Sequence, residues 1–539
     1  MTFNYDEFFP YSSIREEQRI AIEFSLNALF NENKRFVILS LGTGVGKSGV
    51  GVTLGRYIDS HLMTGYEKFG PGAYYVTTQK ILQDQYVNDF APNMKSIKSS
   101  SNYECNYYKK QSCEESLKQI KVEPKDSKFY KACTGGCKYR KEKEVFLHSK
   151  EGVTNFPYFM TESTYSGKIL PRKTLIIDEA HNAEAELSKF IEISVSEYFS
   201  EKVLKLPMGE LSTQHQVIQW IKNVYIQKLT SHLEHIEKIL EKYDRVQDKI
   251  SEMFTIQKQI DMMKGHKSKI EIFLNVYDPE NWVMNEVPGD GKSMRKFEFK
   301  AIDVSPFSQG YLFRLGEKVI FMSATILSKE TFCETLGIPV EEAAYISIPS
   351  PFPIENRPII FAPVGKMNKD NIDASLPRLV EAVQAILDAH PDEKGIIHAH
   401  TYAIAQYIKK NIKSKRLLTH DSYNREEVLR KHMNGNKPTV LLSPSMSEGV
   451  DLKGDASRFQ IICKIPYPYL GDKLCKKRMF KWKWWYGAQT AKTIIQAVGR
   501  SIRSMDDHAV TYILDSDWQT FYSKSKDLFP EEFRAAIKE

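Results

Sequence analysis

The stretch Leu41-Gly42-Thr43-Gly44-Val45-Gly46-Lys47-Ser48 constrains this chain more than any other. It follows a short apolar run, Phe36-Val37-Ile38-Leu39, that reads as a strand buried on both faces, and it opens onto a segment from Gly49 to Ile58 that can be helical. Strand, glycine loop and helix in that order are what a phosphate-cradling loop requires. Glycines such as Gly44 and Gly46 let backbone N–H groups turn inward onto an anion, and the helix start adds its positive dipole end. Lys47 can then reach the β- and γ-phosphates, and Ser48 can ligate Mg²⁺. The alternative is a glycine-rich turn with no ligand, which the Gly-Lys-Ser frame between strand and helix disfavours. One position departs from the usual pattern: Leu41 stands where Ala or Gly is common, which should reshape the loop's entrance without removing the phosphate ligands.

The chain has 539 residues, room for several domains of about 100–200 residues each. No uninterrupted apolar run is long enough to span a bilayer, and Met1 to Pro10 lacks the plan of a signal peptide, so a cytoplasmic protein without a membrane partner is expected. The net charge of +7 permits a nucleic-acid partner without demonstrating one. Seven cysteines in an intracellular chain do not suggest a disulfide framework.

Upstream of the phosphate loop, Arg15 and Gln18 lead into an amphipathic helix with Ile22, Leu26 and Leu29 on one face. A glutamine on a pocket-facing turn can pair bidentately with an adenine edge, although a lone Gln18 is more often a surface residue. Downstream, Ala73 to Gln79 reads as a strand ending in the hydroxyls of Thr77 and Thr78. These hydroxyls suit either a nucleic-acid phosphate or the cap of the next helix.

Cys105, Cys113, Cys133 and Cys137 follow in a short, polar, lysine-rich stretch with little core of its own. Such a segment needs a staple, and four thiolates can hold tetrahedral zinc or a [4Fe–4S] cluster. The wide gap between Cys113 and Cys133 matches no standard zinc ribbon. Lys173 to Ile177 is a further buried strand, delivering Asp178-Glu179-Ala180-His181. A carboxylate pair at a strand's end, downstream of a phosphate loop, is the Walker B arrangement: Asp178 for Mg²⁺, Glu179 to polarise the attacking water.

From about Ser188 to Lys300 the composition turns charged and helical. A seam of Leu229, Leu233, Ile236, Leu240, Tyr243, Val246, Ile250 and Met253 suits helices packed lengthwise. The strand pattern resumes at Lys318 to Met322 and ends in Ser323-Ala324-Thr325; a proline-rich linker, Ile348 to Pro353, then leads to a second α/β unit. That unit carries Glu448-Gly449-Val450-Asp451 and Gln496-Ala497-Val498-Gly499-Arg500-Ser501-Ile502-Arg503. Arg500 and Arg503, three apart, are expected on one helix face, and guanidinium groups supplied from a second domain stabilise a transferring γ-phosphoryl group. The basic-aromatic run Lys476 to Tyr486 can stack bases or pack its tryptophans into a core; packing is favoured for most of the tryptophans, and the lysines stay open.

In this order, the motifs resemble the XPD/DinG family of iron–sulfur-containing superfamily 2 DNA helicases. The resemblance rests on Arg15 to Gln18, Gly-Lys-Ser, Thr77-Thr78, Asn102-Tyr103-x-Cys105, Asp-Glu-Ala-His, Ser-Ala-Thr, Glu448-Gly449-x-Asp451 and Gln496-x-x-Gly499-Arg500-x-x-Arg503. It implies an α/β fold of two RecA-like parallel-sheet motor domains, the first interrupted by an iron–sulfur insert and a helical arch. The implied division is domain 1 over 1–100, 146–187 and 301–347, the cluster insert over 101–145, the arch over 188–300 and domain 2 over 348–539. ATP, Mg²⁺ and a [4Fe–4S] cluster are the implied cofactors, the cluster on Cys105, Cys113, Cys133 and Cys137. Nucleotide contacts fall to Arg15, Gln18, Gly44, Gly46, Lys47, Ser48, Asp178, Glu448, Gly449 and Asp451, and catalysis to Lys47, Glu179, Gln496, Arg500 and Arg503. The implied activity is ATP-driven 5′ to 3′ translocation of a monomer on single-stranded DNA with unwinding of forked duplexes; RNA–DNA hybrids are a further candidate substrate. Two features depart from the family plan: Cys105 and Cys113 are unusually close, and no nuclease module is apparent. The competing readings are a nucleic-acid-stimulated ATPase that displaces proteins but separates strands poorly, and an ATP-switched binding module whose cysteines sense redox state. The Asp178-Glu179 pair and the two arginines weigh against an inactive switch.

Overall fold

The computed structural model describes residues 3–63, 68–243, 249–289, 293–421, 424–444, 452 and 454–538. Glu448, Gly449 and Asp451 and the seam residue Val246 lie outside the described residues. The strands, in chain order, are β1 (Phe36–Leu41), β2 (Gly70–Thr77), β3 (Met94–Ser96), β4 (Glu151–Asn155), β5 (Arg172–Asp178), β6 (Ile193–Ser196), β7 (Trp282–Val287), β8 (Lys296–Ala301) and β9 (Gly316–Ser323). There follow β10 (Ala343–Ile348), β11 (Ile359–Gly365), β12 (Gly395–His398), β13 (Leu417–Thr419), β14 (Val440–Ser443), β15 (Phe459–Ile462), β16 (Val510–Asp515) and β17 (Ile537–Lys538). They form two seven-stranded sheets, ordered β10-β1-β9-β5-β2-β4-β3 and β13-β14-β12-β15-β16-β11-β17, and a three-stranded sheet β6-β8-β7. This is an α/β architecture with two RecA-like parallel sheets.

By packing, the chain divides into two compact units: residues 1–54, 320–334 and 339–539, and residues 55–319 and 335–338. In the first unit, β1 runs parallel to β10 with Leu41 opposite Ile348. Every residue of β1 is buried, as expected of a strand covered on both faces. Leu41 is therefore the last core residue of the strand, and the turn begins only at Gly42. The second sheet obeys the same rule. Ile461 packs on one face with Leu379, Val383 and Ile408, while its neighbour Ile462 packs on the other with Ile494, Ile513 and Trp518.

In the second unit, β5, β2, β4 and β3 are neighbours in that order, with β2 parallel to both β5 and β4. β4 has no apolar run to announce it. Glu151 is nonetheless buried there because Arg56 grips both of its oxygens, Nε at 2.8 Å and Nη2 at 3.1 Å. The cysteine stretch folds as three short helices, Cys113–Gln119, Lys128–Thr134 and Lys138–His148. Ser112 caps the first through the Glu115 N–H (3.2 Å) and Ser127 the second through the Tyr130 N–H (3.0 Å).

The region expected to be a helical arch is only partly so. The helices Ile226–Lys242 and Ile250–Val276 pack together, with Leu229, Leu233, Ile236 and Met253 buried. Strands β6, β7 and β8 nevertheless form an antiparallel sheet within the same stretch of chain. The period-2 pattern of Lys296-Phe297-Glu298-Phe299-Lys300-Ala301, with Phe297, Phe299 and Ala301 fully buried, is the physical cause. Lys121 of the cysteine insert reaches both oxygens of Asp261 on the arch helix, at 2.8 and 2.9 Å, and Lys258 approaches Glu115 at 3.6 Å.

Candidate nucleotide site and cysteine cavity

In the first unit, Gly44 and Gly46 adopt φ of +92° and +89°, values open to glycine and strained for other residues. Both wind the loop back so that Lys47 and Ser48 begin the helix Lys47–His61. Arg15 and Gln18 brace the loop: Arg15 Nη1 donates to the Gly44 carbonyl at 2.6 Å and Gln18 Nε2 to the Gly46 carbonyl at 3.4 Å. Gln18 is 2% exposed, and its Oε1 accepts from the Arg15 N–H at 3.0 Å. The expected adenine reader thus lies beside the loop, with its amide engaged on protein atoms at both ends. On the other flank, Ser350 Oγ donates to the Thr43 carbonyl at 2.7 Å.

The arginine motif differs from expectation. Its helix runs from Trp485 to Val498 and ends on Gly499, so Gln496 is helical but Arg500 and Arg503 are not on a helix face. Glycine's low helix propensity ends the helix, and Asp507 stabilises the turn that follows by accepting from the N–H groups of Arg503 (2.9 Å) and Ser504 (3.2 Å). Arg503 Nη1 folds back onto the Gly499 carbonyl at 3.0 Å. The segment still meets the phosphate loop: a Cβ built on Gly499 would stand 4.0 Å from Thr43 Oγ1. Arg500 is close enough to His398 for its charge to add to the burial that lowers that histidine to about 3. Most tryptophans of the basic-aromatic run pack, Trp482 and Trp485 being buried, whereas Lys476, Lys477 and Lys483 are exposed.

In the second unit, Asp178 ends β5 and is 5% exposed. Tyr86 Oη donates to its Oδ2 at 3.0 Å, and the Glu179 N–H donates to its Oδ1 at 2.9 Å. Glu179 sits in the left-handed region, φ +50° and ψ +44°, a conformation costing on the order of 1–3 kcal/mol that clusters at functional sites. Its Oε2 lies 3.3 Å from His181 Nδ1. The Thr77 hydroxyl donates to the Gln79 carbonyl at 3.2 Å, the Thr78 hydroxyl is buried without a partner, and neither caps the next helix.

Cys105, Cys113, Cys133 and Cys137 line one cavity of ≈ 80 Å³, walled by Tyr107, Phe129 and Tyr139. The N–H groups of Tyr107 and Tyr108 both donate to Cys105 Sγ at 3.4 Å. Burial first, then the neighbouring Cys137 sulfur, pushes the Cys113 thiol up to about 12; burial also raises Cys133, against the pull of the Arg140 guanidinium. Among the described residues no three His, Cys, Asp or Glu side chains converge on one ion. A second cavity, ≈ 480 Å³, is lined by Tyr165, Phe190, Lys189 and Lys269.

Tyr86, Ser350 and Phe352 were not among the expected site residues. Tyr86 carries no motif signal, and the proline-rich segment holding the other two reads from sequence as a mere linker.

A phosphate loop, a strand-end carboxylate pair and two parallel sheets are the parts of a P-loop nucleotide-binding fold. Residues 393–536 match the helicase C-terminal domain model, and residues 11–208 match the model of the type III restriction enzyme res subunit. The chain is 26% identical over 211 residues to the ATP-dependent DNA helicase YoaA of Escherichia coli, covering 36% of this chain and 32% of that one. It is also 26% identical over 239 residues to the ATP-dependent DNA helicase DinG of Photobacterium profundum, covering 40% and 34%. It thus spans about a third of the length of these curated relatives. Among solved structures, an XPD helicase aligns over 98% of this chain and 100% of its own, with a TM-score of 0.66 and 17% identity. Xpd4 of S. tokodaii aligns over 97% and 99%, with a TM-score of 0.58 and 13% identity. The chain thus shares its fold with the XPD structures and resembles, over the matched segments, the XPD/DinG-like superfamily 2 helicases.

Proposed function

We propose that this protein is an ATP-dependent DNA helicase that moves 5′ to 3′ along single-stranded DNA and opens forked duplexes. The observation carrying most weight is the approach of Gly499, next to Arg500, to Thr43 of the phosphate loop. In this reading the Lys47 ammonium neutralises the β- and γ-phosphates, and Arg500 and Arg503 stabilise the charge spread over the leaving γ-phosphoryl. Gln496 helps to orient that group. Glu179 takes up the proton as water attacks, with His181 holding its carboxylate. Ser48 and Asp178 would hold Mg²⁺, for which Asp178 is suited by its two donors and its burial; the ion supplies charge neutralisation across the phosphates. ATP stabilises the arrangement in which arginines and phosphate loop meet, and loss of the γ-phosphate releases it. DNA gripped alternately by the two domains then advances, against a cost of about 1.4 kcal/mol per base-pair step.

Cys105, Cys113, Cys133 and Cys137 would hold a [4Fe–4S] cluster. They fit because all four line one cavity, and because N–H groups already point at the Cys105 sulfur. The cluster would order the insert that separates strands. The ≈ 480 Å³ cavity, with Tyr165 and Phe190 for stacking and Lys189 and Lys269 for phosphates, suits a single strand. The deciding experiment measures ATP hydrolysis with and without single-stranded DNA, alongside strand displacement on forks with 5′ or 3′ tails. Stimulation with displacement from 5′ tails is expected. Stimulation without displacement would make it a translocase, and no stimulation would overturn the motor reading.

A further inference from the structure

Residues 349–353, which leave β10, are fastened to the phosphate loop at two points. The Ser350 backbone fills the space beside Gly42, and its hydroxyl donates to the Thr43 carbonyl at 2.7 Å. Two residues on, the Phe352 ring occupies the place where a side chain on Gly44 would stand. The ring is 5% exposed, and away from the loop it packs with Ile502 and Ala509 in a small apolar cluster. Ile502 lies between Arg500 and Arg503. Ala509 is fixed in turn, its N–H donating to the Asn356 carbonyl at 2.9 Å, and Arg357 Nη2 holds the Phe352 carbonyl at 3.2 Å.

One rigid ring therefore touches both the glycine that shapes the phosphate loop and the residue flanked by the two guanidinium-bearing positions. Close-packed interiors pass displacement on rather than absorb it, and a phenyl ring with two torsions has little freedom to yield. The Gly44 carbonyl is also held by Arg15 at 2.6 Å, so this peptide is fastened by a hydrogen bond as well as packed by the ring.

We propose that Phe352 is a positioning residue that sets Arg500 and Arg503 relative to the phosphate loop, transmitting the state of the loop to them through Ile502. This inference rests on the proposed action of those arginines at the γ-phosphate. Phe352 itself needs no contact with nucleotide.

The test uses the full chain. Phe352→Ala should lower kcat for ATP about tenfold or more while KM, and affinity for a fluorescent ADP analogue lacking the γ-phosphate, change by less than about threefold. Phe352→Leu, which refills most of the space, should recover most of kcat. Ile502→Ala should reproduce the loss, and the double variant should be no worse than either single one. Wild-type kcat in folded Phe352→Ala, an equal loss of ADP affinity, or fully additive losses would each overturn the proposal. The two failures are separable. An unsubstituted protein that hydrolyses no ATP sinks the motor reading and this inference with it, whereas an active parent with an unaltered Phe352→Ala sinks this inference alone.

Discussion

Tyr86 offers a sharp test of how Asp178, the carboxylate proposed to hold Mg²⁺, is positioned. Its phenol is 2% exposed and donates to Asp178 Oδ2 at 3.0 Å, while the Glu179 N–H secures Oδ1 at 2.9 Å. Tyr86→Phe removes one oxygen and keeps the ring against Tyr75 and Phe90, with centroids 5.7 and 5.6 Å away, so packing is preserved. A hydrogen bond to a charged group contributes about 1.5–3 kcal/mol, and loss of a partner that orients a metal ligand typically weakens metal binding about 10–100-fold. The bond to Glu179 survives as a pivot, which puts the expected effect near the lower end, about 10-fold. The assay is a Mg²⁺ titration of ATP hydrolysis at fixed nucleotide, paired with Mg²⁺-dependent binding of a fluorescent ADP analogue, which reads the site without turnover. Both midpoints should move to higher Mg²⁺ together. A folded Tyr86→Phe protein with both midpoints unchanged would refute the reasoning.

Lys47→Ala and Glu179→Gln should each abolish turnover, the first by removing phosphate charge stabilisation and the second the water-activating carboxylate; near-normal hydrolysis in either would overturn the site assignment. The purified protein should be brown with broad visible absorption, and substitution of Cys105, Cys113, Cys133 or Cys137 should bleach it and impair unwinding more than basal hydrolysis. Colourless, zinc-containing protein that still unwinds DNA would refute the cluster. Burial holds His398, His400 and His432 neutral, lowering them from 6.5 to about 3, 4 and 4. The unfolded chain binds protons more readily in that interval, so the stability that depends on these histidines should be complete above about pH 6.5 and fall as the pH drops toward 4. A denaturant midpoint that stays level from pH 7 to 4 would contradict this.

Local signals were readable in the sequence, and long-range ones were not. Gly44, Gly46 and Lys47 announce their loop because strand, turn and helix are contiguous, and Asp178 is marked by the apolar run before it. β4 has no legible pattern because Glu151 is made buriable by Arg56, 95 residues away. The arginine spacing alone would continue a helix through Gly499, but Asp507 favours a turn there. Tyr86 and Asp178 are 92 residues apart, and no periodicity links them. The strands β6, β7 and β8 within the expected helical stretch are not legible because their alternation is short beside the helical seam.

The 307-residue separation of Thr43 and Ser350 has a bearing on biogenesis. At synthesis rates of about 5–20 residues per second, roughly 15–60 s pass between the emergence of the two ends of that bond. Throughout this interval β1 lacks its neighbour β10, leaving a bare apolar edge able to pair with another chain. Nascent copies are thus exposed to aggregation until Ala343–Ile348 leaves the ribosome, and fragments cut before Ala343 never outgrow the hazard.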